Sequence, residues 1–314
     1  MNTKTLAIVL LTVGLATASW TREAAADGLL IGRSNLSAQA AATLQTQVRD
    51  ARATQPRGFE QLAQLRARLP ELDARKRGRY PLVGMELKAL GVDGLMPMLE
   101  EIALNAAPRG TLSDAAWSAW RAGLVEAVGG LRDPRAEPVL AAVLDSPVTD
   151  PLIVEAAAAA YGKLATDAVA ARLVALSRVA SSRQMSILSG MGNCRRTVVA
   201  DRLAEAMAAA SDDATARALA RALGDVGSAW AWKSAGMGHL DEEQAVRGAA
   251  ARALVAALPL HGPDARLKIT AAVLVVDHPS TLALIDAEKA GASPDGKAAL
   301  DELARRFSNS PFHR

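Results

Sequence analysis

The sequence predicts an all-α protein, a solenoid of stacked antiparallel helix pairs, and three observations carry that reading. Half of the 314 residues are hydrophobic but only 3% are aromatic, so the apolar content is alanine, leucine and valine, and the first two are the best helix formers. Runs of β-branched or aromatic residues alternating with polar ones, the mark of half-buried strands, are missing. A small-apolar-glycine triplet recurs at "KALGVDGL" (Gly91), "EAVGGLRDP" (Gly129), "AAYGKLATD" (Gly162), "SGMGNCRRT" (Gly192) and "RALGDVGSA" (Gly224), with Ala257 where the next glycine would fall. The intervals are 38, 33, 30, 32 and 33 residues, a period that fits one helix pair per repeat.

The first segment, residues 1–26, reads as a secretory signal. Lys4 supplies the basic start, Leu6 to about Leu15 the apolar stretch, and small residues suit cleavage after Ala18 or Ala26. The apolar stretch is shorter than the ~20 residues of a spanning helix, which makes an uncleaved anchor the weaker alternative, and no cysteine follows it for a lipid to modify. The expected location is periplasmic or secreted. Residues 27–80 form an N-terminal helical cap, with amphipathic helices over Leu36–Thr54 and Gly58–Leu69 followed by the basic "LDARKRGRY".

Residues 81–290 are the repeat array. First helices start at Asp150 before Pro151, at Asp212 or Asp213, and at Asp241, whose Gln244 has capping-box spacing. Each ends at its repeat glycine, expected to take the left-handed conformation of a C-cap. The second helix opens on a motif such as Asp133-Pro134. Five consecutive alanines in "VEAAAAAYGKL", Val154–Leu164, read as a helix contact surface, because side chains this small let helix axes approach toward ~8 Å. Residues 291–314 close the array with a capping helix: Ser293 caps it, Pro294 takes its first position, and Leu300, Leu303, Ala304 and Phe307 share one face.

"LRDPRAEPVLAAVLDS…IVEAAAAAYGKL" and "ALGDVGSAWAWKSAGMGHLDEEQAVRGAAARAL" resemble HEAT repeats, and more closely the phycobilisome-lyase-like branch of that family. The likeness spans roughly Leu82–Phe307. It implies a right-handed superhelix whose second helices line a concave binding face. Tetratricopeptide repeats share the period, but their Trp, Leu-Gly and Tyr positions are not reproduced here.

Chemistry is sparse in the sequence. There is no phosphate-binding glycine loop, no Gly-x-Ser-x-Gly elbow and no His-Glu-x-x-His, so no catalytic residue, metal or cofactor is assigned. The net charge is +3 for the whole chain and about +2 without residues 1–26, too little for a general attraction to nucleic acid. Cys194, the single cysteine, excludes an internal disulfide and falls in an apolar repeat column, the place of a buried hydrophobe. His239 and His278 fall in loops between repeats and His261 in a loop within one, so the three do not share a metal.

Two surfaces stand out. Arg75, Lys76, Arg77 and Arg79 make a basic cluster, a solvated face of the cap or a contact for a membrane surface or an anionic envelope polymer. Trp230 and Trp232 occupy columns filled elsewhere by Arg135 and Glu137, or by Ala168 and Ala170. Charged residues rarely sit in buried positions, so both indoles are candidates for exposure, on the second helix of their repeat beside Lys233. Trp117 and Trp120, three apart, read as core.

These features favour a non-enzymatic extracytoplasmic scaffold or adaptor that binds a protein or peptide, with Trp230 as anchor and Trp232 and Lys233 in support. The alternative is an enzyme or enzyme subunit on an α-superhelix, lyase-like or a cell-wall hydrolase. A cleft holding two carboxylates with displaced pKa values would favour that alternative.

Overall fold

The computed structural model describes residues 28–234 and 239–311; residues 1–26, where the signal segment is expected, and His313 lie outside them. All regular elements among the described residues are helices. They are α1 (Ala38–Thr54), α2 (Pro56–Ala74), α3 (Gly84–Ala89), α4 (Leu95–Ala103), α5 (Asp114–Gly130), α6 (Glu137–Asp145), α7 (Pro151–Gly162), α8 (Asp167–Arg178), α9 (Gln184–Met191), α10 (Thr197–Ala208), α11 (Asp213–Gly227), α12 (Ala229–Trp232), α13 (Glu243–Ala257), α14 (Pro263–Val276), α15 (Thr281–Lys289) and α16 (Pro294–Ser308).

The helices form two layers. In the first, α3, α5, α7, α9, α11 and α14 pack in succession; in the second, α8, α10, α13 and α15 do so. Short connections between the layers make antiparallel pairs, the helix-pair solenoid predicted from the repeat period. The α1–α2 hairpin packs on α4, and α16 packs on α15 with Leu300, Leu303 and Phe307 buried.

The caps follow the local sequence. Side chains of Ser37, Ser113, Asp150, Thr166, Asp212 and Ser293 accept hydrogen bonds from the first-turn amides of α1, α5, α7, α8, α11 and α16, satisfying donors that have no partner within the helix. Asp241 departs from its expected role: it lies in a 3-10 turn, Leu240–Glu242, and α13 begins without a side-chain cap. The acid beside it works on another helix. Glu242 Oε2 accepts from Thr197 N at 2.6 Å and Thr197 Oγ1 at 2.7 Å, while Oε1 accepts from Arg196 Nε at 2.6 Å. It thereby closes α10, whose own N-cap, Arg196, makes no side-chain cap bond.

The repeat glycines act differently from the C-cap role expected of them. Only Gly91 has a positive φ, 57°; the left-handed residues near the later helix ends are Arg132 (φ 53°) and Ala165 (φ 54°), three positions past Gly129 and Gly162. The later glycines permit close approach instead. A Cβ on Gly129 would lie 2.4 Å from Ala160 Cα, and one on Gly192 would lie 2.4 Å from Ala222 O. The alanine run meets the next helix in the same way, with Ala156, Ala157, Ala158 and Ala160 buried and the Cβ position of Gly190 2.8 Å from Ala158 Cβ.

The repeat frame also shifts after Gly224. The helix ending at Ala257, α13, packs on α10 and belongs to the second layer; the first-layer partner of α11 is α14. Trp230 and Trp232 therefore lie on a one-turn insertion, α12, not on a second helix. His261 follows α13 and connects repeats, whereas His239 and His278 lie within pairs, the reverse of the sequence-based assignment.

Candidate functional site

Ser228 ends α11 and starts α12, its Oγ accepting from Ala231 N at 3.3 Å. Residues two apart on a helix diverge by about 200°, so the two indoles of this turn take opposite environments. Trp232 is 3% exposed and donates from Nε1 to Val226 O at 3.1 Å, which corrects the expectation that it reaches the surface. Its body fills the core and its one polar atom finds a backbone carbonyl. Trp230 is 81% exposed, and Lys233 beside it is exposed too.

Trp230 and Lys233 border a cleft of about 340 Å³ with Ser228, Ala229, Leu274, Val275 and Asp277. Val275 is shared with a second cleft of about 480 Å³ between α11 and α14, where Ala218, Gly224, Ala271 and Ala272 form the floor. The two clefts adjoin at Val275 and are together the groove of α11, α12 and α14, whose floor, not its walls, carries little side chain. Arg217 and Arg221 stand on one side of it and Lys268 on the other. Arg221 pairs with Glu155 at 3.1 Å and Arg217 approaches Asp264 at 4.0 Å. Asp225 lines the same cleft, and burial holds its carboxyl above the usual range although Arg221, Arg195 and Lys163 pull it down.

A third cleft, about 560 Å³, lies where the α1–α2 hairpin meets α4. It holds both Glu100 and Glu101. Burial raises the Glu101 pKa against opposing hydrogen bonds from Trp120 and the Ala107 amide and the charge of Arg66; Trp120 Nε1 donates to Glu101 Oε1 at 3.3 Å. Glu100 is ion-paired with Arg52. The guanidinium of Arg66 sits 5.3 Å from the Trp117 ring and 5.5 Å from the Trp120 ring, cation–π distances. Trp120 is fully buried and Trp117 half-buried. Sequence reading missed this cleft, since Glu100 and Glu101 acquire their neighbours only when the hairpin folds back.

The basic cluster is exposed at all four positions, and part of its charge is locally balanced. Arg75 pairs with Glu71 at 3.0 Å and Lys76 with Asp73 at 2.5 Å, while Arg79 stacks on Tyr80 at 5.1 Å. Cys194 is buried, and burial pushes its thiol up to about 12. No group of three or more metal-ligating side chains occurs among the described residues. His278 Nδ1 lies 2.7 Å from Ser280 Oγ, His239 Nε2 lies 3.4 Å from Arg196 Nη1, and His261 is buried against Asp213 at 3.4 Å. No described helix is long and apolar enough to cross a membrane.

No protein-family model matches the chain, and no curated protein does. Among solved structures it is similar to human deoxyhypusine hydroxylase in complex with glycerol, at 17% identity, over 81% of this chain and 98% of that one, with a TM-score of 0.32. A likeness at that score carries no argument about activity.

Proposed function

We propose that this protein is a non-enzymatic scaffold or adaptor of the cell envelope that binds a protein or peptide in the groove along α11, α12 and α14. The observation that carries the reading is Trp230, four-fifths exposed at one end of an apolar groove. An indole left in water forgoes on the order of 3 kcal/mol of burial free energy, and tryptophan is among the residues most enriched at binding hot spots. Lys233 supports it from the rim. Trp232 contributes indirectly, by fixing the one-turn helix that presents Trp230. The binding surface thus lies on the first-helix layer, not on the second-helix layer that the HEAT resemblance assigns to the concave face. Envelope location rests on the sequence of residues 1–26. Arg77 and Arg79 are the members of the basic cluster available for a peripheral contact with a membrane or anionic envelope polymer.

The test compares the mature wild-type protein with Trp230→Ala in affinity capture from an envelope extract of its source. A single stoichiometric protein held by the wild type and lost by the variant, with unchanged melting temperature, supports the reading. Retention of that protein by the variant, or a large drop in its melting temperature, contradicts it.

A second reading, a cell-wall hydrolase, is favoured by one observation: the cleft with Glu101 raised by burial and Glu100 held by Arg52, an arrangement that can keep one carboxyl protonated as a general acid. The likeness to phycobilisome-lyase-like repeats offers a chromophore-attaching lyase as a related form of this reading. Hydrolysis of purified cell-wall polysaccharide by the wild type, abolished in Glu101→Gln, would establish the hydrolase; no turnover by the wild type removes it.

A further inference from the structure

The connection from α2 to α3, Arg75–Val83, carries the cations Arg75, Lys76, Arg77 and Arg79 and no acid, and it ends in a turn that presents a leucine to solvent. Val83 N donates to Pro81 O at 3.0 Å, closing a three-residue turn with Leu82 at its tip. Pro81 and Val83 are buried on either side, so the turn is held to the body of the protein while Leu82 is 82% exposed. Met85 follows in the first turn of α3. Leu87 is fully buried, and residues two apart on a helix diverge by about 200°, which leaves Met85 on the opposite side, 77% exposed.

Leu82 and Met85 are among the most exposed large hydrophobic residues of the described chain. Single apolar residues on a surface need no explanation, but two at neighbouring positions beside free cations do. Three residues of chain span at most about 11 Å, so the Cα atoms of Arg79 and Met85 each lie within that distance of Leu82. The patch also keeps its charge. Arg75 and Lys76 are paired with Glu71 and Asp73, whereas Arg77 and Arg79 make no ion pair among the described residues, and Arg79 stacks on Tyr80. The acid closest in sequence to Leu82 and Met85 is Glu86, and Arg68 holds it at 3.1 Å.

We propose that Leu82 and Met85, together with Arg77 and Arg79, dock the protein on an anionic lipid bilayer. This rests on the envelope location and peripheral contact proposed above, and it specifies the side chains and the surface. Stable attachment at a membrane surface takes two signals, and one short stretch supplies both: arginines drawn to anionic headgroups and apolar tips that enter the acyl boundary. The apolar pair selects the bilayer among anionic surfaces. A polysaccharide attracts the arginines but offers Leu82 and Met85 no apolar phase, and a protein partner would need a hollow shaped to the turn. Neither residue lines a cleft described above. A fluid bilayer receives a protruding turn without a preformed pocket.

The probe is vesicles of phosphatidylglycerol and phosphatidylcholine in roughly equal parts, with phosphatidylcholine vesicles and soluble dextran sulfate as the other arms, each added to the intact mature protein. In flotation assays the protein is expected to bind the mixed vesicles about tenfold or more tighter than the zwitterionic ones, and less tightly as salt is added. Leu82→Ser with Met85→Ser should weaken binding to the mixed vesicles by about tenfold or more, and Arg77→Gln with Arg79→Gln by a similar factor. All four positions are exposed, so both variants should keep the wild-type melting temperature. Leu82→Met, which keeps an apolar tip, should retain wild-type binding and guards against a folding defect in the serine variant. No binding to the mixed vesicles, equal binding to both kinds of vesicle, preference for dextran sulfate, or vesicle affinity unchanged in either paired variant overturns the proposal. The Trp230→Ala capture is an independent arm. If capture depends on Trp230 while the vesicles fail, the docking patch falls and the groove stands; the opposite pattern leaves the patch and removes the groove. An N-terminus at Met1 in the natural protein would remove the envelope location, which the vesicle assay does not read.

Discussion

Two adjacent glycines at the end of α5 should respond to alanine with opposite signs. A Cβ on Gly129 would sit 2.3 Å from Ala160 Cβ and 2.4 Å from Ala160 Cα, where carbon atoms at rest stand about 3.5–4.0 Å apart. The obstructing atoms have no rotamer to change, so α5 and α7 must separate by more than about 1 Å. Overpacking of this kind costs about 1–3 kcal/mol, here toward the upper end, while alanine returns about 1 kcal/mol of helix propensity. Gly129→Ala should therefore destabilise the protein by about 1–2 kcal/mol, a drop of about 2–8 °C in melting temperature. A Cβ on Gly130 meets nothing within 4 Å, so Gly130→Ala should be neutral or stabilising by up to about 1 kcal/mol. Urea unfolding followed by circular dichroism reads both. A Gly129→Ala variant as stable as the wild type would refute the close-approach role of the repeat glycines.

Trp232→Ala should cost about 3–5 kcal/mol, as truncation of a buried aromatic does, while Trp230→Ala leaves unfolding unchanged; equal effects in thermal melts would contradict the opposite environments of the two indoles. Cys194, buried and with its thiol pushed up to about 12, should stay unmodified by a thiol reagent in the native protein and react once it is unfolded, so rapid native labelling would contradict its burial. Glu101 has a folded pKa above its unfolded one, chiefly through burial, and the folded state then holds the proton more tightly. Its contribution to stability is present below the unfolded pKa and is lost as pH rises through the folded pKa. Glu101→Gln should be the more stable protein above that window and gain nothing below it; a difference that does not vary with pH would contradict the shift.

The helix-pair architecture was legible because its signal is periodic and local: alanine and leucine content, cap residues such as Asp150 and Ser293, and glycines at intervals near thirty. What escaped reading depends on neighbours distant in sequence. A glycine signals either a left-handed backbone or a missing side chain, and only the position of Ala160 and Ala222 shows that Gly129 and Gly192 serve the second purpose. Ala257 matched the period by coincidence, since the insertion carrying α12 lengthened one connection and moved α13 into the other layer. Column comparison across repeats pointed correctly to Trp230 and wrongly to Trp232, because a column predicts one environment for a position while the insertion turns the two residues apart.

The central claim, that a partner docks at Trp230, is tested most directly by placing a photo-crosslinking benzoylphenylalanine at position 230 and irradiating the protein in intact cells of its source. Leu82, equally exposed at 82% against 81% but on the N-terminal side of the array, provides the control position. The account predicts one crosslinked protein species from position 230, joined at that residue, and none of that species from position 82. No crosslink at 230, or the same species from both positions, would contradict it.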